Sequence, residues 1–162
     1  MKYYVKVNLF SEPKMKAELL LKREILLTVT DTDIEEYNDD NDEQLKIDRQ
    51  RLLESLDDHT YIVELWDIFT SDDVSEWFED FIYSFRDKGE DTNLKPRTKS
   101  THYECKEVAV LITGSNDLYV GWSYFYGGGK HGQPEEIEWM ADCYLLNMSI
   151  ETVQIKVFKP VD

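Results

Sequence analysis

Cysteine and histidine are both scarce in this chain, and each scarcity removes a class of explanation. Only two cysteines, Cys105 and Cys143, occur in 162 residues, without C-x-x-C spacing. Neither a disulfide framework nor a paired-thiolate zinc site is indicated. Both fall in stretches of strand-like composition, where they read as buried, reduced thiols or as a pair bridging adjacent strands. The three histidines, His59, His102 and His131, are far apart and form no HExxH motif. Long apolar runs are missing too. No stretch approaches the roughly 20 residues that span a bilayer, and MKYYVKVNLF lacks the apolar centre of a secretion signal. A cytoplasmic location and no membrane partner are therefore expected.

Basic residues are scarce in one place above all. From Asp31 to Glu43 the chain reads DTDIEEYNDDNDE, eight acids without a lysine or arginine. Residues 1–30 carry a formal charge of +3, residues 31–90 carry −16 and residues 91–162 carry −3, so the middle segment alone equals the net charge of −16. Solubility is served by a much smaller charge, spread over the surface. With 41% hydrophobic and 13% aromatic residues the chain still has the material for a core. Its length suits a single domain over residues 1–162, with the acidic segment at 31–90 inside it.

Periodicity gives the expected elements. Tyr3, Val5, Val7 and Leu9 alternate with Lys2, Tyr4, Lys6 and Asn8 and predict a strand over 2–10. A second strand is expected over about 20–30, because Thr28, Val29 and Thr30 are β-branched. The acidic stretch 31–43 reads as a solvated connection. Leu45, Leu52, Leu53 and Leu56 predict a helix over 42–56. Val74, Trp77, Phe78, Phe81, Ile82 and Phe85 stand on one face of a helix over 72–86, with Thr70 and Asp73 able to cap its start and Gly89 just past its end. Between these helices, YIVELWDIF reads as a short strand or an extended packing segment. Residues 90–102 form a polar loop with a basic cluster of Lys95, Arg97 and Lys99. CKEVAVLIT and LYVGWSYFY, joined at Gly114–Asp117, predict a hairpin, and IETVQIKVF a further strand. The expected fold is α+β: an antiparallel sheet of about five or six strands against two amphipathic helices.

Motifs that would announce chemistry fail on spacing. A calcium loop starting at Asp31 would place Asp33, Glu35, Asp39 and Asp42 as ligands, but Glu36 stands where the sharp turn needs glycine and Asp42 where a bidentate glutamate belongs. The run Gly127, Gly128, Gly129, Lys130 is followed by His131 and lacks GxxxxGK[ST], so it reads as a glycine turn or a recognition tip. A metal set of His102, His131 and Cys105 or Cys143 has no supporting spacing. No nucleophile elbow is present. No catalytic residue, cofactor or metal is indicated, and the chain is not expected to be an enzyme.

What remains is an ordered acidic surface. Glu76, Glu79, Asp80 and Asp87 fall away from the apolar stripe of the 72–86 helix, and Glu54, Asp57 and Asp58 add charge near the end of the preceding helix. These seven are the expected partner-binding residues. Acids outside the segment, such as Glu104 and Glu107, are expected to matter little. Repulsion disfavours direct binding of DNA or RNA. A basic nucleic-acid-binding protein or nuclease, in contrast, offers a groove that such a surface can occupy. In size and acidity the chain resembles phage or mobile-element inhibitors of restriction and CRISPR systems, and also the immunity proteins that neutralise basic nuclease toxins. That resemblance rests on composition, not on an aligned motif. It implies a stoichiometric inhibitor that mimics nucleic acid in the channel of a host-defence nuclease. An immunity protein is the alternative, and an uncharacterised enzyme or adaptor comes after it.

Overall fold

Ala17, Leu20, Leu21 and Ile25 recur at the spacing of one helix face. In the computed structural model, which describes residues 4–6, 13–42 and 44–150, all four lie fully buried on helix α1 (Pro13–Leu26). The strand expected over 20–30 is thus a helix and the turn that follows it. Two charged residues, Arg23 and Glu24, interrupt the apolar pattern, yet they too are buried. α1 packs against the sheet and against two other helices.

The acidic stretch is not a connection. It forms helix α2 (Asp31–Asp40). Thr30 and Asp33 build a capping box, with Asp33 N donating to Thr30 Oγ1 at 3.2 Å and Thr30 N donating to Asp33 Oδ2 at 2.7 Å. Ile34 and Tyr37, one turn apart, bury the inner face. The helix expected over 42–56 shrinks to α3 (Arg49–Glu54), capped by Asp48. Before it, Leu45 is fixed in extended chain by a two-way amide pairing with the Asn38 side chain, at 2.7 and 3.0 Å. YIVELWDIF is helix α4 (Thr60–Phe69), with Ile62, Leu65 and Phe69 buried. Helix α5 (Ser75–Arg86) meets the expectation for 72–86 closely, although its N-cap is Val74 and no side chain caps it. Thr70 instead donates back to the Trp66 carbonyl at 2.7 Å and helps to end α4.

The strands are β1 (Tyr4–Lys6), β2 (Glu90–Asp91), β3 (Glu104–Leu111), β4 (Leu118–Tyr126) and β5 (Tyr144–Ser149). All pairings are antiparallel, in the order β1-β5-β4-β3-β2. The α+β architecture therefore differs from the expected one. Among the described residues there are five α-helices, not two, and four strands of three residues or more, with the two-residue β2 laid along one edge. The strand expected over 150–158 lies, apart from Ile150, outside the described residues. So does most of the strand expected over 2–10. The β3–β4 hairpin follows the expectation, and its register sets Val108 opposite Trp122 and Glu107 opposite Ser123. β4 lies between β3 and β5. Cys105, on β3, and Cys143, just before β5, are therefore not on adjacent strands and remain thiols.

One sheet face carries Val108, Ile112, Val120 and Trp122 into the helical layer. Phe78 is its aromatic centre, edge-on to Trp66 at 5.4 Å and to Phe69 at 5.0 Å. The opposite face holds a smaller cluster of Ala109, Tyr144 and Leu146. Gly121 permits that second layer, since a Cβ there would stand 2.9 Å from Leu146 Cδ1 and 3.1 Å from Tyr144 Cζ.

Phe78 is fully buried, while Trp77 and Phe81 are only half-buried. Phe78→Ala is therefore expected to cost about 3–5 kcal/mol, and Trp77→Ala clearly less. Equilibrium urea unfolding measures both, and equal losses would contradict this placement of the core.

Candidate acidic interface and a buried carboxylate cluster

The seven acids picked out by the sequence are all exposed, but they divide into two kinds. Four are held by neighbours. Glu54 accepts from Gln50 Nε2 at 2.6 Å, and Asp57 lies 3.8 Å from Lys16 Nζ. Asp58 accepts from the Thr60 backbone N–H at 3.1 Å, which holds its carboxyl below the usual carboxylate range. Asp87 pairs with Arg86 at 3.4 Å and accepts from the Tyr124 hydroxyl at 3.0 Å. Burial, and then that bond to Asp87, push the Tyr124 hydroxyl pKa up.

Glu76, Glu79 and Asp80 are different. They project from α5 with no ion pair to any described residue. One turn further along the same face stands Tyr83, 43% exposed.

The structure adds a second acidic helix beside them. Tyr37 of α2 packs on Trp77 of α5 with ring centroids 4.9 Å apart, and its hydroxyl donates to the Asp73 carbonyl at 3.1 Å. α2 then presents Glu35, Glu36, Asp39 and Asp40 to solvent, again without an ion pair to any described residue. Reading 31–43 as a solvated connection hid these four. The signal that reveals them is T-x-x-D before Ile34 and Tyr37, a helix start followed by an apolar i, i+3 pair.

The cations of this segment point elsewhere. Arg49 donates to the carbonyls of Leu27 and Val29, and also meets Asp31 at 3.1 Å. Arg51 lies over the Tyr61 ring at 4.1 Å and 3.8 Å from Glu64. Arg86, buried, donates to the Phe125 and Pro134 carbonyls and lies over the Tyr124 ring at 4.3 Å. Lys88 stands over Phe85 at 5.9 Å. Four of the five cations in 31–90 thus engage carbonyls, rings or acids, and Lys46 is exposed with no such contact to a described residue. Glu35, Glu36, Asp39 and Asp40 of α2 and Glu76, Glu79 and Asp80 of α5 are left to the solvent.

A separate polar cluster lies on the sheet face away from the helices. Glu107 is 2% exposed, so it is not the neutral surface acid that its position outside 31–90 implied. Its Oε1 accepts from Ser123 Oγ at 2.7 Å and from the Arg97 backbone N–H at 2.8 Å, and its Oε2 from the Tyr144 hydroxyl. The Arg97 guanidinium lies over the Tyr144 ring at 4.1 Å, and Thr92 Oγ1 donates to the Glu107 carbonyl at 3.0 Å. The carboxylate therefore ties the polar loop after β2 onto the sheet. Burial first raises the pKa of both the Tyr144 hydroxyl and the Cys105 thiol, followed by the hydrogen bond to Glu107 for Tyr144 and by the Glu107 charge for Cys105. A thiol held in its protonated form is a poor nucleophile. Glu104, by contrast, is exposed.

The glycine run forms a tight turn. Gly127, Gly128 and Gly129 have φ of 79°, 89° and 75°, and a Cβ on Gly128 would stand 2.4 Å from Tyr103 Cε1. Lys130 and His131 are exposed at its tip. Among the described residues no group of three or more His, Cys, Asp and Glu side chains is arranged to hold a metal ion, and no helix is long and apolar enough to cross a membrane. Comparison with known protein families, curated proteins and solved structures finds no match.

Glu107→Ala would strand the Ser123 and Tyr144 hydroxyls and the Arg97 N–H. A loss of about 3 kcal/mol or more is expected, with faster tryptic cleavage after Arg97 or Lys99 as the loop comes off the sheet. Glu104→Ala should stay within about 0.5 kcal/mol of the wild type. Urea unfolding and limited proteolysis together check this, and a silent Glu107→Ala would remove the latch role.

Proposed function

We propose that this protein is a stoichiometric inhibitor whose α2–α5 face occupies the basic nucleic-acid channel of a nuclease, of the kind used in CRISPR or restriction defence. One observation carries the reading: two helices in contact present seven acids, Glu35, Glu36, Asp39, Asp40, Glu76, Glu79 and Asp80, with no ion pair to any described residue, while four of the five cations in 31–90 are engaged with carbonyls, rings or other acids. Successive side chains on a helix face stand about 5–6 Å apart, so the carboxylates form a fixed, closely spaced array of negative charge. Such an array complements the Lys and Arg side chains that line a phosphate-binding groove and steers the encounter from a distance. Tyr83 adds what a charge array lacks, a planar ring for a desolvated contact.

The placement of two acids strengthens the reading. Asp39 and Asp40 lie in the last turn of α2, which holds no basic residue. That is the negative end of the helix dipole, where each acid works against stability by about 0.3–1 kcal/mol. The fold gains nothing from them there. Binding to a basic nuclease toxin, as an immunity protein does, uses the same chemistry with a different partner.

The test is charge reversal at the face, with Glu76→Lys, Glu79→Lys and Asp80→Lys combined. Glu104→Lys is the control, because the buried Glu107 cannot serve as one. A partner is recovered from host lysate at low salt, identified, and its association kinetics are measured against both variants. The triple variant is expected to associate at least about tenfold more slowly and with a weaker salt dependence, and the control to match the wild type. Equal association rates for all three would sink the proposal.

A further inference from the structure

On the sheet face opposite the helical layer, a cavity of about 290 Å³ is lined by Glu90, Asn93, Ala109, Tyr119, Leu146 and Met148 together with Asp91 and Thr92. We infer that it is a binding site for a small alkylammonium ligand, a primary amine on a short apolar chain. Its chemistry is set by strand register. Glu90 pairs with Ala109 across β2–β3, and Tyr119 with Leu146 across β4–β5. Directly opposed residues share a face, so the Glu90 carboxylate, the Tyr119 ring and an apolar floor of Ala109 and Leu146 meet at one place. Tyr119 is held there by its hydroxyl, which donates to Met148 Sδ at 3.4 Å.

Each element of the lining excludes an alternative ligand. Asp91 points to the other face and pairs with Lys106 at 3.0 Å, which leaves Glu90 as the carboxylate at this mouth without a partner among the described residues. An anion would meet Glu90 with nothing to balance it. A bare metal ion would find one unpaired carboxylate beside the neutral side-chain oxygens of Thr92, Asn93 and Tyr119, and would lose water against the apolar floor. A neutral hydrocarbon would leave Glu90 unused. An ammonium group gains the carboxylate and the face of an aromatic ring, while its alkyl chain covers Ala109, Leu146 and the Met148 thioether. The volume lies at the small end of ligand sites, which limits the chain to a few carbons. The site is on the other side of the sheet from α5, and nothing in it depends on the acidic face.

The probe is n-butylammonium, with n-butanol as its neutral isostere, titrated into the full chain and followed by amide and methyl chemical shifts. Saturable one-to-one binding is expected, with shift changes centred on Ala109, Leu146 and Met148. Butanol should bind at least about tenfold more weakly, as should butylammonium to Glu90→Gln, since one charge-assisted contact is worth about that factor. Glu36→Gln, on the acidic face, should bind like the wild type. Three outcomes would overturn the inference: no saturation, equal affinity for the alcohol, or equal weakening by Glu90→Gln and Glu36→Gln, which would reduce the effect to the general field of an acidic protein.

Discussion

Arg23 is the cation around which the helical layer is assembled. It is fully buried, and its guanidinium donates to the Leu52 carbonyl at 2.9 Å, the Leu53 carbonyl at 2.7 Å, the Thr113 carbonyl at 3.2 Å and Glu24 Oε1 at 2.5 Å. Glu24 Oε2 accepts in turn from the Thr113 hydroxyl at 2.6 Å. One side chain of α1 thereby closes the C-terminal end of α3 and fixes the start of the β3–β4 turn. Leaving an arginine in an apolar interior costs several kcal/mol unless its donors are filled, and here carbonyls that would otherwise be orphaned at a helix end fill them. Burial pushes the Glu24 carboxyl above the usual carboxylate range, and the Thr113 bond and the Arg23 charge oppose that. Because the folded-state value lies above the unfolded one, ionising Glu24 works against the fold as pH rises through that interval. The Arg23 pairing offsets part of the loss.

Arg86 and Arg49 also donate to carbonyls distant in sequence, although Arg86 Nε is buried without a hydrogen-bond partner among the described residues. Three of the 18 basic residues, Arg23, Arg49 and Arg86, thus act as internal clamps. The consequence for the surface is direct: apart from Arg49, which meets Asp31 at the start of α2, the clamps leave the outward acids of α2 and α5 without an ion pair. α2 and α5, which touch through Tyr37 and Trp77, carry nine of the 21 acids of the middle segment, and the other twelve lie outside these two helices.

Where periodicity was unbroken, the sequence was readable. The α5 stripe and the β3–β4 hairpin could be placed from spacing alone, and so could Glu76, Glu79 and Asp80 on the outer side of α5. α1 was obscured because Arg23 and Glu24, taken as surface residues, split its apolar face, although the core is where they lie. α4 was obscured by β-favouring residues, while Ile62, Leu65 and Phe69 kept helical spacing. α2 was hidden by charge, since eight acids drew attention from a capping box. The Glu107 cluster and the cavity beyond it join residues from β2 to β5 and depend on strand order, which no local pattern encodes. Only the pairing of Glu107 with Ser123 followed from the hairpin register.

If the acids of α2 and α5 are kept for a partner and not for the fold, then removing their charge should stabilise the protein by relieving repulsion. The most direct test is urea unfolding of Glu36→Gln, Asp39→Asn, Asp40→Asn, Glu79→Gln and Asp80→Asn combined, at low salt and at about 1 M salt, where screening shortens electrostatic reach to about 3 Å. A higher midpoint than wild type at low salt, converging at high salt, is the expected result. A lower midpoint at both salt concentrations would mean that these acids hold the structure together, and would contradict the account.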